Sequence, residues 1–292
     1  MTDTLVFALT GWPLGHSLSP VLHQAALAAL GLKGEYRLMP VPPADSTALA
    51  ALLQQVRNGQ LQGLNVTIPH KQAVLPLLDE LSPTARAIGA VNTLWMREGR
   101  LVGENTDAPG FLADLYARLG DHLADKARER CAWLFGAGGS ARAVAFALAS
   151  EGWRVVIAAR RLEQAEALAA SLGNWLKAEQ FIPLSLAALP EGGVPHPQLI
   201  INATPLGMTP QVETSPWPEG LAFPSGACVY DLVYNPPETR LVREARRAGL
   251  EAVTGLGMLV EQAALALEKW TGLPVPREAM FRAVERDRKN PG

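Results

Sequence analysis

Six side chains in the first third of the chain suit the binding and deprotonation of a polyhydroxylated molecule: Ser17, Ser19, Thr67, Lys71, Asn92 and Asp107. Each falls at the end of a predicted strand or the start of a predicted helix, where open α/β sheets collect ligands. Lys71 and Asp107 supply an amine and a carboxylate for proton transfer. Ser17 and Ser19 place two hydroxyls beside a helix N-terminus, a neutral site for a small carboxylate. Plainer readings stand beside these. Ser19 before Pro20 is also a helix cap with proline in the first turn. Lys71 is also a solvated lysine, although an amine at a helix start opposes the dipole. Asp107 is also a cap for the helix that Pro109 opens.

A second constellation lies mid-chain. The apolar run Cys131–Phe135 meets Gly136-Ala137-Gly138-Gly139-Ser140, and small residues suited to a helix follow. After Gly152 comes the β-branched run Val155-Val156-Ile157, which completes a βαβ unit. Gly136, Gly138 and Ala141 match the G-x-G-x-x-G/A spacing of a dinucleotide site. Gly136 allows the tight turn, Gly138 lets a pyrophosphate approach the backbone, and Ala141 keeps the helix close to the sheet. The helix N-terminus then faces the phosphates. A plain glycine turn is the alternative; the flanking strand and helix favour the nucleotide site. An NAD site places an acid about 20 residues on, against the ribose 2′-hydroxyl. Here the second strand ends in Ala158-Ala159-Arg160-Arg161. Two guanidiniums suit a 2′-phosphate, so NADP is the expected cofactor, with a solvated basic loop as the other reading.

The elements that must hold these residues alternate. Residues 5–9, 35–41 and 65–68 read as strands, and residues 20–30 and 44–56 as helices. Ser82-Pro83 starts another helix. Residues 91–95 turn at Glu98-Gly99 into Leu101-Val102, a hairpin that makes the first sheet mixed. Further on, residues 199–204, 227–233 and 252–254 read as strands and 238–248 as a helix, implying a parallel sheet covered on both faces. Residues 258–270 form an apolar-faced helix, and Pro276 opens the last one.

At 292 residues, two domains are expected. Hydrophobic residues at 48% and charged residues at 18% supply ample core. Lys plus Arg is 26 and Asp plus Glu 28, a net charge of −2, which does not suggest a nucleic-acid or membrane surface. The basic tail at Arg286, Arg288 and Lys289 reads as a solvated helix end. Cys131 and Cys228 open apolar runs and read as buried hydrophobes without a disulfide, which fits a reducing cytoplasm. Met1-Thr2-Asp3-Thr4 lacks a signal peptide's basic region, and no apolar stretch reaches membrane-spanning length. The five histidines lack ligand spacing, so no metal is expected.

In this order the motifs closely resemble the shikimate dehydrogenase family. Ser17-Leu18-Ser19-Pro20, Asn65-Val66-Thr67-Ile68-Pro69-His70-Lys71, Gly89-Ala90-Val91-Asn92-Thr93 and Asn105-Thr106-Asp107 resemble its substrate-domain motifs, and Gly136 to Ser140 its phosphate loop. Asn202-Ala203-Thr204-Pro205-Leu206-Gly207-Met208, Asp231-Leu232-Val233-Tyr234-Asn235-Pro236 and residues 255–263 complete the set. The resemblance covers nearly the whole chain. It implies reduction of 3-dehydroshikimate to shikimate with NADPH, in aromatic biosynthesis. It implies an α/β protein with an N-terminal α/β/α substrate domain, built on a mostly parallel mixed sheet, and a Rossmann-type NADP-binding domain. The terminal helices return to the first domain, so residues 1–107 and 257–292 form the substrate domain and 108–256 the other.

By the same resemblance Lys71 is the catalytic acid–base group, paired with Asp107. Ser17 and Ser19 bind the substrate carboxylate; Thr67, Asn92, Asp107 and Gln262 hold its hydroxyls; Tyr234 adds a contact. Gly136, Ala137, Gly138, Gly139, Ser140, Arg160, Arg161, Thr204, Leu232 and Gly255 fall at cofactor positions. Two departures stand out. Ala159-Arg160-Arg161 replaces the usual Asn-Arg-Thr or Asn-Arg-Ser, removing one polar contact and adding a positive charge. Ser140 stands where the family often has alanine and adds a donor. Implied partners are shikimate and 3-dehydroshikimate alone, with neither nucleic acid nor membrane, for a cytoplasmic monomer or homodimer. The competing functions are a quinate/shikimate dehydrogenase of broader use and a non-catalytic sensor of shikimate-like ligands; the presence of both Lys71 and Asp107 speaks against the sensor.

Overall fold

The structure is a computed structural model that describes residues 4–124 and 129–289. It divides into two compact units, Met1–Gly110 with Val260–Gly292, and Phe111–Leu259. The first begins β1 (Leu5–Gly11), α1 (Ser19–Ala29), β2 (Gly34–Pro40), α2 (Ser46–Arg57) and β3 (Gly63–Val66). Both crossovers are helical, so β2 and β3 lie parallel to β1 on either side. Then follow β4 (Glu80–Leu81), α3 (Pro83–Ile88), β5 (Thr93–Arg97), β6 (Arg100–Glu104) and α4 (Asp107–Leu119). The sheet runs β2-β1-β3-β5-β6-β4, with β5 antiparallel to both neighbours. Glu98 and Gly99 both take positive φ, 52° and 77°, giving the two-residue turn whose twist matches a hairpin. β4 is only two residues long and leaves no mark in the sequence pattern.

Strand alternation sorts the core of this unit. Val6 and Ala8 face the side where Leu49, Leu52, Leu53 and Val56 of α2 pack. Phe7 faces the other way and stacks on Trp270 at 4.9 Å. Trp270 belongs to α8 (Leu256–Thr271), and α9 (Arg277–Lys289) packs along α1. The terminal helices therefore complete the first sheet's second layer.

The second unit contains β7 (Cys131–Phe135), α5 (Gly139–Ser150), β8 (Arg154–Ala159), α6 (Leu162–Gly173), β9 (Phe181–Ser185), β10 (Leu199–Asn202), β11 (Cys228–Asp231), α7 (Arg240–Arg247) and β12 (Ala252–Thr254). All six strands are parallel, in the order β12-β11-β10-β7-β8-β9. The two halves diverge between β7 and β10, the switch point at which doubly wound sheets open a ligand crevice. The sequence pattern did not mark α6 and β9. β9 is an edge strand whose short apolar run is interrupted by Pro183, a residue that argues against a strand, and four of its five residues are half-buried. Both cysteines are buried and neither forms a disulfide, and burial pushes the Cys131 thiol up to about 12.

One close approach in this unit is unforgiving. A Cβ on Gly257, early in α8, would lie 1.7 Å from Oδ1 of the buried Asp114 on α4. Asp114 also accepts a 2.5 Å hydrogen bond from Tyr230. Gly257→Ala is therefore expected to cost at least about 1–3 kcal/mol of overpacking. A melting temperature unchanged from wild type would contradict this. Among the described residues, no helix is long and apolar enough to cross a membrane.

Candidate active site

After β3 the chain turns back on itself through Thr67 and Lys71. Thr67 N donates to Thr10 O at 2.8 Å, and His70 N donates to Thr67 O at 2.9 Å. The buried His70 ring donates through Nε2 to Val41 O at 2.7 Å. The sequence pattern places Lys71 at a helix start. The structure has turns there, followed only by a 3₁₀ segment at Leu75–Leu77, so no α-helix starts at Lys71. The Lys71 carbonyl accepts from Val91 N at 2.8 Å, which pins its backbone beside Asn92.

Asp107 lies in the first turn of α4, but it is not the cap. That task falls to Asn105, whose Oδ1 accepts from Ala108 N at 3.2 Å. The Asp107 carboxylate is thereby left to side-chain donors. Its Oδ2 accepts from Lys71 Nζ at 2.5 Å and its Oδ1 from Asn92 Nδ2 at 2.9 Å. Lys71 is 8% and Asp107 4% exposed. A buried ion pair costs desolvation and adds little over apolar packing, so its placement points to chemistry rather than stability.

The Asn92 amide is oriented from behind. Its Oδ1 accepts from Thr106 N at 2.8 Å and from Thr93 Oγ1 at 3.2 Å, which leaves Nδ2 to face Asp107. Nδ2 also reaches Gln262 Oε1 at 3.3 Å, and Thr106 Oγ1 donates to Gln262 O at 3.0 Å. Lys71, Asp107, Asn92 and Gln262 thus meet in one hydrogen-bonded cluster. Sequence reasoning missed its supports, Thr93, Thr106, Asn65 and Tyr36. Asn65 donates to Asn92 O at 3.0 Å and Thr93 Oγ1 at 3.1 Å, and accepts from Tyr36 OH at 2.8 Å. A polar residue inside the buried run Gly63–Val66 was the available signal.

Ser17 and Ser19 lie on the loop from β1 into α1. Ser19 is the first residue of α1, and Leu18 holds the cap position without a side-chain bond. The capping reading of Ser19 is therefore incorrect. Ser17 Oγ accepts from Ser19 N at 3.3 Å, which leaves its own hydrogen for an outside acceptor. Ser19 bonds Tyr36 through its side chain. Beside them His23 is fully buried, stacks on Tyr36 at 3.9 Å, and donates from Nδ1 to Ser19 O at 2.9 Å. Burial lowers its pKa to about 4, against the backbone bond to Ser19, so it brings no charge to the serines at neutral pH. Trp12 N donates to Ile68 O at 2.9 Å and joins this loop to the Thr67 turn.

In the second unit Gly136 leaves β7 with φ 111°, and its N–H donates to Ala158 O at 2.9 Å. Gly138 occupies the N-cap of α5, and a Cβ there would meet nothing within 4 Å, so the loop surface is open to a ligand. Gly139 and Ser140 begin α5, Ala137 precedes the cap, and Ala141 is fully buried against the sheet. Arg160 and Arg161 are exposed just past β8 and form no ion pair among the described residues. Arg160 lines a cavity of about 420 Å³ with Leu186, Ala187, Ser215, Pro216, Trp217 and Pro218. Thr204 turns its hydroxyl inward to Asn202 Oδ1 at 2.7 Å. A Cβ on Gly255 would lie 2.3 Å from Leu232 O, so these two predicted residues are in contact. Tyr234 belongs to this unit, and burial raises its phenol above the ordinary value.

A doubly wound parallel sheet with a glycine turn at its first helix, joined to an α/β unit that buries a lysine–carboxylate pair, defines a two-domain, dinucleotide-dependent oxidoreductase. Comparison with known proteins makes this specific. Residues 9–94 match the model of the shikimate dehydrogenase substrate binding domain, and residues 255–285 that of the shikimate 5'-dehydrogenase C-terminal domain. The chain is 44% identical to the shikimate dehydrogenase (NADP(+)) of Salinibacter ruber, covering 97% of this chain and 98% of that one. It is similar to the crystal structure of shikimate 5-dehydrogenase from Thermus thermophilus in complex with NADP(H) and shikimate. There the TM-score is 0.82 at 42% identity, over 97% of this chain and 99% of that one. Quinate dehydrogenase from Corynebacterium glutamicum, solved in complex with NAD, matches at a TM-score of 0.83 and 32% identity over 97% and 99% of the two chains. The chain belongs to the shikimate dehydrogenase family.

Proposed function

We infer that this chain is an NADP-dependent dehydrogenase that interconverts 3-dehydroshikimate and shikimate. The observation that carries the reading is the buried Lys71–Asp107 pair, bracketed by Asn92 and Gln262. The residues present fit NADP: the phosphate loop is open at Gly138, β8 ends without an acid, and the Arg160 and Arg161 guanidiniums stand there with no ion pair among the described residues. When bound, this cofactor supplies or accepts the hydride. Gly136, Ala137, Gly138, Gly139 and Ser140 hold its phosphates, Arg160 and Arg161 its 2′-phosphate, and Thr204, Leu232 and Gly255 its nicotinamide end. Ser17 and Ser19 bind the substrate carboxylate; Thr67, Asn92, Asp107 and Gln262 hold its hydroxyls; Tyr234 adds a contact. As the carbonyl forms, the hydroxyl proton leaves to Lys71 Nζ, and in the reverse direction Nζ returns it. Asp107 fixes Nζ and the reacting hydroxyl in one geometry. The reading includes a cytoplasmic monomer or homodimer acting on small molecules without nucleic-acid or membrane partners. The net charge of −2 and two buried cysteines without a disulfide support that setting.

The direct test supplies shikimate or quinate with NADP or NAD and follows absorbance of the reduced cofactor. Shikimate with NADP is expected to react fastest. Faster turnover of quinate would favour the broader dehydrogenase, and no reduction with any pair would favour the sensor. A companion variant tests the serines. Ser17→Ala removes a hydrogen bond to a charged carboxylate, worth about 1.5–3 kcal/mol. The KM for shikimate should rise roughly 10- to 100-fold, and NADP affinity should stay as in wild type. Unaltered shikimate affinity would show that the serines serve only the local backbone.

A further inference from the structure

The residues assigned to the nicotinamide end share one buried support that the proposed mechanism does not use. Asp231, the last residue of β11, is completely buried and has no cationic partner among the described residues. Its Oδ1 accepts from Asn202 Nδ2 at 2.8 Å and from Val233 N at 3.0 Å; its Oδ2 accepts from Thr239 Oγ1 at 2.6 Å. Burial pushes the carboxyl up to about 6, and the bonds from Thr239, Val233 and Asn202 hold it down against that.

Asn202 ends the neighbouring strand, directly opposite Asp231 in the register. Its amide is fully committed. Nδ2 donates to Asp231 and to Leu206 O at 3.0 Å; Oδ1 accepts Thr204 N at 2.9 Å and Thr204 Oγ1 at 2.7 Å. Position 231 supplies the acceptor for the second hydrogen of this amide. The loop so held lies against the phosphate turn, since a Cβ on Gly136 would meet Ala203 O at 3.1 Å and Thr204 Cγ2 at 3.2 Å. On its other side Asp231 fixes the turn after β11 through Val233 N, and Leu232 O there abuts Gly255.

We propose that Asp231 is a positioning residue for the cofactor: one buried carboxylate sets both loops, Asn202–Thr204 and Leu232–Val233, that flank the nicotinamide end. The inference rests on the reading above that NADP binds there. Asp231→Asn keeps the shape but cannot satisfy the three donors together. If its oxygen faces Asn202 and Val233, its NH2 faces the Thr239 hydroxyl, whose hydrogen loses its acceptor. If it flips, two donors face two donors.

The test is calorimetric titration of the full-length chain with NADP, beside steady-state kinetics and thermal melting. Wild type must bind NADP; if it does not, the functional reading fails before the inference is reached. Asp231→Asn is expected to raise the Kd for NADP about tenfold, the effect of one lost hydrogen bond to a charged group. The KM for shikimate at saturating NADP should stay within twofold. Thr239→Val should reproduce the loss, and Thr239→Ser should restore wild-type affinity. Thr239 Oγ1 also caps α7 by accepting from Val242 N at 3.3 Å; should Asp231→Asn not fold, the Thr239 pair therefore decides by two criteria together, rescue by serine and a shikimate KM for Thr239→Val within twofold of wild type. A rise in Kd below threefold, an equal rise in the KM for shikimate, or failure of serine to rescue overturns the proposal.

Discussion

Lys71→Ala is expected to lower kcat for shikimate oxidation by about 10² to 10⁴, the usual worth of general acid–base catalysis. The KM for shikimate should change much less. Oxidation requires the hydroxyl proton to leave as hydride departs from the same carbon, and Lys71 Nζ is the basic group fixed in the cluster, 2.5 Å from Asp107 Oδ2. An interaction used only in the transition state shows in kcat, whereas uniform binding shows in KM. The variant leaves the Asp107 carboxylate buried without its cation, although Asn92 Nδ2 still donates to it at 2.9 Å. A circular dichroism melt must therefore accompany the kinetics, because an orphaned buried charge is destabilising. Asp107→Asn should impair both kcat and KM, since Asp107 holds Lys71 and is assigned to a substrate hydroxyl. The rival account has Lys71 binding substrate while water serves as base. Saturating shikimate would then restore most of the turnover of Lys71→Ala, and that result would end the acid–base assignment.

The second large effect concerns the cofactor. Arg160→Ala should raise the KM for NADP by about 10- to 100-fold, the equivalent of roughly 1.5–3 kcal/mol for a charge-assisted hydrogen bond. Activity with NAD should barely move, because NAD lacks the 2′-phosphate. β8 ends without the acid that would take a ribose 2′-hydroxyl, and the Arg160 and Arg161 guanidiniums are exposed there without an acidic partner among the described residues. A planar guanidinium donates two parallel bonds to phosphate, so Arg160→Lys should recover only part of the loss. Arg161 adjoins Arg160 and bounds the effect of either single change, and the double variant should lose more than Arg160→Ala alone. Equal losses with both cofactors would mean that Arg160 supports the loop and does not read the phosphate.

The legible parts of this protein were those governed by local chemistry. A glycine with φ 111° between a buried strand and a helix is written in the residues themselves, because few other residues take that backbone. The missing acid after β8 and the Glu98-Gly99 hairpin are local in the same sense. So was the choice of Lys71, Asp107 and Asn92, polar residues placed where apolar runs stop. Their partners were not legible from local chemistry, and only the family resemblance implied the pairing of Lys71 with Asp107. Asn105, two residues away, caps α4, and so Asp107 is spared for Lys71; sequence alone allowed either assignment. Ser19 looked like a cap and is the first helical residue. Gln262 reaches Asn92 across 170 residues because α8 packs on the first sheet, a placement that helical periodicity does not encode. Asp231 and Asn202 ended two apolar strands without distinction until the parallel register set them side by side. Turn chemistry depends on neighbours in the chain. The direction of a buried hydrogen bond depends on which strand lies alongside and on every other donor competing for the same acceptor, and only the tertiary structure decides that.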